Sequence, residues 1–247
     1  MFSIILPLYN KASYIEKAVR SILNQTYKEF ELIIIDDGST DNPLPPQGGN
    51  ITQRFSFISE IELVKENLRF IEQINCGVST TRNNGVKLAK YDYIAFLDAD
   101  DWWEPTFLEE MKSLIEKFPN AGIYGSNYFK VKYGNYTPAK IAVDTTFTSG
   151  YINYFELYAR SIWMPLWTGA VVIPKIVFEA EKGFKAELKM GEDFHLWARI
   201  AENNKVAWLN KPLSNYNQDV EIAKRAVDGR LYQPEEHFLY ADFGKLI

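Results

Sequence analysis

Apolar and polar positions fall into blocks along the first half of the chain, and the blocks have two different periods. "FSIILP" (2–7) is a short apolar run closed by proline, the pattern of a strand buried on both faces. "SYIEKAVRSILNQ" (13–25) places Ile15, Val19, Ile22 and Leu23 at helical spacing, with Ser13 where an N-cap is expected. "FELIIID" (30–36) returns to the strand pattern and stops at Asp36. "VSTTRNNGVKLAK" (78–90) reads as a helix that Asn83, Asn84 and Gly85 weaken. "DYIAFLD" (92–98) is a third strand, and "EPTFLEEMKSLIEKF" (104–118) is an amphipathic helix with Pro105 near its first turn. Predominantly apolar strands separated by helices predict an α/β fold with a parallel sheet covered on both faces.

Other segments break this rhythm. "DNPLPPQGGN" (41–50) holds three prolines and two glycines, which predicts a surface loop. Beyond it, "IELV" (61–64) and "LRFIEQIN" (68–75) read as short strands. "AGIYGSNYFKVKY" (121–133) and "GAVVIPK" (169–175) read as strands, and "EDFHLWARIAEN" (192–203) as a helix. No repeat and no clean linker divides the chain, so its 247 residues predict one domain.

Composition narrows the class. The apolar share of 47% and charged share of 24% are those of an ordinary globular protein. A net charge of −5 without a Lys/Arg block argues against a nucleic-acid partner. Cys76 is the only cysteine, which excludes an internal disulfide and fits a reducing compartment. "MFSIILPLYN" lacks a basic start and its apolar run stops at Pro7, so it does not read as a signal peptide. No stretch reaches the ~18 apolar residues of a membrane span. Aromatic residues make up 15%, an excess that serves either core packing or stacking on sugar rings.

The candidate chemistry lies where the strands end. "PLYN", "DDGSTD" and "DADDWW" follow three successive strands, so all three face the carboxyl edge of a parallel sheet, where open α/β sheets bind ligands. Asp98, Asp100 and Asp101 fall within four positions and repel one another. Asp98 and Asp100 form an Asp-x-Asp pair, two hard oxygen donors that suit Mg²⁺ or Mn²⁺ completed by phosphate and water; the alternative is a solvated acidic turn. An EF-hand is excluded, since Trp103 stands where its turn glycine belongs and a strand precedes the run. A phosphatase with an aspartyl nucleophile would carry this pair after its first strand.

Four blocks in order, "PLYNKASYIEKAVRSILNQTYKEFELIIIDDGSTD", "NCGVSTTRNNG", "YIAFLDADDWWEP" and "GEDFHLWARIA", resemble the family 2 glycosyltransferases of GT-A fold. The resemblance spans residues 4 to about 201. It implies a Rossmann-like, mostly parallel sheet with helices on both faces and a smaller acceptor-side subregion. It also implies transfer of a sugar, with inversion, from a nucleotide-diphosphate donor, most naturally a UDP-sugar, to a saccharide or lipid-linked saccharide in surface polysaccharide synthesis. The donor half would be residues 1–103, the acceptor half 104–212 and the tail 213–247. Pro7, Leu8 and Tyr9 would line the base and ribose pocket, Asp37 would accept from the base, and Asp36 would fix its own loop. Arg82 would meet the base or diphosphate, Asp98 the ribose side, and Asp100 the Mn²⁺ or Mg²⁺. Asp193, with Glu192 beside it, would be the general base; the competing reading is that both merely favour the positive end of a helix dipole. The resemblance implies a cytoplasmic chain whose membrane contact, if any, is peripheral.

Other residues are weighed against blander roles. Trp163 or Trp167 stacks on a sugar or packs in the core, and one of Trp102 and Trp103 faces the substrate while the other packs. His195 falls two residues from Asp193 and so points away from it on a helix. His237 is a metal ligand or solvated, and Cys76 is a small packed residue near the nucleotide. Asn217 follows Tyr216 where many relatives carry arginine. A sugar-1-phosphate nucleotidyltransferase would need a glycine-rich loop after the first strand, and "PLYNKAS" has no glycine. A non-catalytic binding module is disfavoured by intact Asp98, Asp100 and Asp193.

Overall fold

The structure, a computed structural model, describes residues 1–41 and 67–220. The expected strand at 61–64, nearly all of the proline-rich loop, and His237 lie outside the described residues.

Four parallel strands form one side of the sheet, β1 (Phe2–Leu8), β2 (Phe30–Asp36), β3 (Leu68–Glu72) and β4 (Tyr93–Phe96), in the order β3-β2-β1-β4. β1 and β2 pair from Phe2 opposite Phe30 to Leu8 opposite Asp36, so the two strands end level and their following loops lie side by side. The apolar runs have the expected cause: successive side chains enter opposite layers. Ile4, Leu6, Leu32 and Ile34 pack under helices α1 (Ile15–Leu23) and α3 (Phe107–Lys117). Ile5, Ile33 and Ile35 pack with α2 (Val78–Leu88) and with α6 (Glu192–Asn203) on the other face.

The other side of the sheet departs from a purely parallel pattern. β9 (Val171–Pro174) runs antiparallel between β4 and β6 (Ala121–Lys132), and β10 (Lys205–Asn217) then lies parallel to β6. β5 (Trp102–Trp103) and β8 (Ser149–Ile152) pair antiparallel with β10. β7 (Asn135–Pro138) forms a hairpin with β6 through Tyr133 and Gly134, whose φ values of 50° and 73° give the turn a twist that matches the strands. β10 shifts register on both sides of Pro212, which has no N–H to give a ladder. Helices α4 (Tyr154–Arg160) and α5 (Lys175–Ala180) complete the described elements with a 3₁₀ turn at Thr168–Ala170.

Two local expectations are corrected or explained. The cap of α1 is Tyr14, not Ser13, because a turn in which Tyr14 and Ile15 both donate to Lys11 O leads into the helix. The weak residues inside α2 serve tertiary contacts. Asn83 exchanges two hydrogen bonds with the Phe184 backbone, at 2.7 and 2.9 Å, and Asn84 donates to Gln73 Oε1 at 3.0 Å. Gly85 lets α2 lie against the sheet: a Cβ there would stand 2.4 Å from Ile5 Cγ2. Gly85→Val is expected to cost about 1–3 kcal/mol of stability through this clash, read as a lower urea midpoint with unchanged m.

Candidate active site at the carboxyl edge of the sheet

The loops after β1 and β2 hold each other. Asp37 N donates to Leu8 O at 2.8 Å, Thr40 N donates to Asn10 Oδ1 at 2.8 Å, and Asn10 N donates to Ser39 Oγ at 3.0 Å. Asp36 fixes its own loop as expected, accepting from Ser39 N at 3.0 Å and from its hydroxyl at 2.5 Å. Asp37 is buried and works partly as a brace. Its Oδ1 accepts from Gln73 Nε2 and Cys76 N, its Oδ2 accepts from Gly77 N at 2.9 Å, and these bonds hold the segment that leads into α2. Oδ2 keeps lone-pair capacity for a further donor. Pro7 and Leu8 are buried, with Leu8 in the core, so of the "PLY" run only Tyr9 presents an exposed side chain at this edge. Cys76 is exposed rather than packed, and its N–H donates to Asp37 Oδ1 at 2.9 Å.

The crowded carboxylates are dealt with one by one. Asp98 Oδ1 accepts from Arg82 Nη2 at 2.7 Å, and Arg82 Nη1 donates to Glu192 Oε1 at 2.8 Å. Burial disfavours the guanidinium's charge, yet Asp98 and Glu192 hold its pKa above the ordinary value. Arg82 Nε is buried without a partner among the described residues. Asp100 Oδ2 pairs with Lys11 Nζ at 2.5 Å. Asp101 turns inward, where Asn217 N at 2.8 Å and Trp167 Nε1 at 3.2 Å donate to it. Burial, and then the charges of Asp100 and Asp98, raise its pKa well above the usual carboxylate value.

Glu192 and Asp193 open α6 after Gly191, whose φ of 75° turns the chain into the helix. The helix dipole favours them there, but their side chains are also specifically engaged. Asp193 Oδ2 accepts from Thr168 Oγ1 at 2.8 Å, and its Oδ1 accepts from Phe194 N at 2.8 Å. Burial raises its pKa, opposed by Arg82, Thr168 and that N–H. Burial and the adjacent Asp193 push Glu192 up to about 7 in spite of Arg82. Burial, and next the charge of Asp193, raise the pKa values of Tyr154 and Tyr158. Trp197 lies fully in the core and so anchors the helix that carries Asp193. His195 accepts from Arg199 Nε at 3.3 Å, the structural role expected of it.

The aromatic residues divide between packing and the site rim. Trp103 stacks on Phe107 at 4.2 Å and donates to Gly169 O. Trp102 lines a cavity of about 290 Å³ beside Asp100, with Tyr14, Lys17, Tyr136 and Asn217. Trp167 stacks with Tyr128 and leans on Tyr216, which makes it packing rather than a free platform. Lys130 covers one face of Trp163, 4.0 Å from the ring centroid.

Among the described residues no group of three or more His, Cys, Asp and Glu is placed to hold a metal alone. The donor set nevertheless fits a Mg²⁺- or Mn²⁺-type ion. Asp98 Oδ2 and Asp100 Oδ1 carry no hydrogen bond among the described residues. Such ions bind through one or two carboxylates and take their other ligands from phosphate and water. Sequence reasoning missed Lys11, Thr168 and the inward turn of Asp101. Lys11 stands in plain view after the first strand, but nothing local says that it reaches Asp100, 89 residues on.

The α/β sheet, with its acidic loops at the carboxyl edge and a carboxylate pair brought to them by a later helix, has the fold of the GT-A glycosyltransferases. Residues 3–164 match glycosyl transferase family 2, and the chain belongs to that family. It is 32% identical over 214 residues to an uncharacterized glycosyltransferase of Rickettsia felis, covering 86% of this chain and 32% of that protein. It is 25% identical over 245 residues to the chondroitin synthase of Pasteurella multocida, covering 97% of this chain and 22% of that protein. The chain thus spans a third or less of these curated relatives. In fold it is similar to S. aureus TarS 1-349 in complex with UDP-GlcNAc, with a TM-score of 0.72 and 20% identity over 92% of this chain and 61% of that one.

Arg82→Met is expected to cost about 2–3 kcal/mol at about pH 8, below the ~3–5 kcal/mol of a fully buried pair because Asp98, 28% exposed, can turn to water. Arg82 opposes the upward shift of Glu192, so without the cation the folded state binds a proton on Glu192 more tightly and the deficit against wild type narrows as pH falls towards about 5. Urea denaturation at both pH values checks the magnitude and the sign.

Proposed function

We propose that the chain transfers a sugar, with inversion, from a nucleoside-diphosphate donor, UDP in the first instance, to a hydroxyl of a saccharide or lipid-linked saccharide. The observation that carries this reading is the Arg82 bridge, which draws the Glu192–Asp193 pair to the acidic run after β4 with contacts of 2.7 and 2.8 Å. Donor-side and acceptor-side chemistry thereby share one edge of the sheet. The relatedness to a chondroitin synthase and the fold likeness to TarS with UDP-GlcNAc support a polysaccharide-type acceptor and a UDP-sugar. Among the described residues no helix is long and apolar enough to cross a membrane, so contact with a lipid-linked acceptor would be peripheral for this part of the chain.

In this reading residues 1–103 hold the donor and 104–212 the acceptor. Tyr9 and the backbone at Pro7 and Leu8 flank the base, and Asp37 Oδ2 accepts from its imide N–H. Arg82 is buried with its Nη atoms held by Glu192 and Asp98, so it acts on the nucleotide through Asp98 rather than by the direct contact with base or diphosphate that was expected; Asp98 faces the ribose side, and Asp100 holds Mn²⁺ or Mg²⁺. That ion, when bound, stabilises the negative charge that develops on the departing diphosphate. Asp193 takes the proton of the attacking hydroxyl as the C–O bond to the diphosphate breaks and a new one forms on the opposite face. Thr168 and Phe194 N hold its carboxylate in orientation, and Glu192 with Arg82 fixes the start of the helix that presents it.

Asp193→Asn is expected to lower kcat by about 10²–10⁴-fold while UDP affinity stays near wild type, whereas Asp100→Ala weakens both. Calorimetric UDP binding in Mn²⁺ beside turnover with a panel of UDP-sugars tests this. Wild-type turnover by Asp193→Asn would remove it as the base. Because burial raises Asp193, the base ionises, and kcat rises, at higher pH than for a free aspartate. Thr168 opposes that shift, so Thr168→Val should move the acidic limb of the kcat–pH profile further upward. An unmoved limb would show that some other group titrates there.

A further inference from the structure

Asp100 has one cationic partner among the described residues, Lys11, and the contact is built into the fold. The Nζ–Oδ2 distance is 2.5 Å, and the two side chains are only 13% and 18% exposed. Asn10, just before the lysine, takes a left-handed backbone with φ of 49°, a conformation asparagine tolerates better than most residues. Its bonds to Ser39 and Thr40 fix that turn, and Ala12 N, just after the lysine, donates to Asp41 Oδ2 at 2.8 Å. The lysine is therefore delivered to Asp100 by two loops braced on either side of it.

An ammonium hydrogen-bonded to a carboxylate repels a divalent ion on the same group, because like charges a few ångströms apart at a partly buried site are poorly screened. Lysine also carries its charge on a flexible four-carbon stem, so the ammonium can change partners without moving the backbone. A nucleoside diphosphate arriving at this edge offers such a partner in its phosphate oxygens. We propose that Lys11 is the resident counter-cation of Asp100: it neutralises the carboxylate while the donor site is empty, opposes divalent metal in that state, and transfers to the diphosphate when nucleotide and metal enter together. The proposal rests on the reading of Asp100 as the metal-holding residue. By linkage, affinity for metal that Lys11 suppresses in the free protein is restored when the diphosphate draws it away, so metal and nucleotide bind with positive coupling.

The test is Mn²⁺ binding, followed by the electron paramagnetic resonance of free Mn²⁺, for the wild type, Lys11→Met and Lys11→Arg, each with and without UDP. Without UDP, Lys11→Met should bind Mn²⁺ about tenfold more tightly than wild type, equivalent to about 1.4 kcal/mol. Lys11→Arg, which keeps the charge, should stay near wild type. UDP titrated without metal should bind Lys11→Met more weakly, and the gain in Mn²⁺ affinity on adding UDP should shrink. Far-UV circular dichroism and a melting curve check folding, with Lys11→Gln replacing the methionine variant if that one does not fold. If Mn²⁺ and UDP bind together normally but Lys11→Met shows wild-type affinity for Mn²⁺ alone, the counter-cation role is overturned and the metal reading of Asp100 stands. If even the wild type binds no Mn²⁺ in the presence of UDP, that reading fails and takes this proposal with it.

Discussion

A buried guanidinium organises the site. Arg82, on the helix after β3, reaches one carboxylate 16 residues away at the end of β4 and another 110 residues away at the start of α6. An unpaired charge in the interior costs several kcal/mol, so the bridge favours the fold in which all three elements come together. Arginine suits the position because its planar fork holds two carboxylates at once, which a lysine ammonium would do less rigidly. The same charge that steadies the fold therefore sets where Asp193 lies, since Glu192 is its neighbour on α6.

Charge accounting around that guanidinium explains the rest of the edge. Among the described residues, Asp98, Asp100, Asp101, Glu192 and Asp193 face two paired cations, Arg82 and Lys11. The excess negative charge must be met by protons, by further cations or by water. Asp101 and Glu192, whose pKa values are raised chiefly by burial, are the groups that hold protons most readily. One oxygen of Asp98 and one of Asp100 remain without a hydrogen bond among the described residues. Repulsion that would disrupt a surface turn is here divided among separate partners, which is how three aspartates fit within four positions.

Rigidity at this edge comes from loop-to-loop bonds more than from the strands. Level strand ends put the loops after β1 and β2 in contact, and Asn10, Asp36 and Asp37 use side-chain oxygens to accept from the backbone N–H groups of Thr40, Ser39 and Gly77, which ties the loops together. Two aspartates adjacent in sequence thus differ in use: Asp36 closes its own turn, while Asp37 braces the entry to α2 and retains an open acceptor site.

The sequence by itself determined the alternation of strands and helices through Phe107–Lys117, the shared edge of the three polar clusters, the helix at 192–203 and the family. Each is written in local periodicity or in contiguous motifs, and hydrophobic period alone decides which face a residue takes. Tertiary structure decided what periodicity cannot encode: β9 running antiparallel through the middle of the sheet, the two-residue strand at Trp102–Trp103, and the cap of α1 on Tyr14. It also decided the partners of charged groups. Lys11 with Asp100, Thr168 with Asp193 and Arg82 with Glu192 join residues 89, 25 and 110 positions apart. A carboxylate's preference for a cation or a hydroxyl is the same toward every such group in the chain, and only the closed fold selects which one stands within reach.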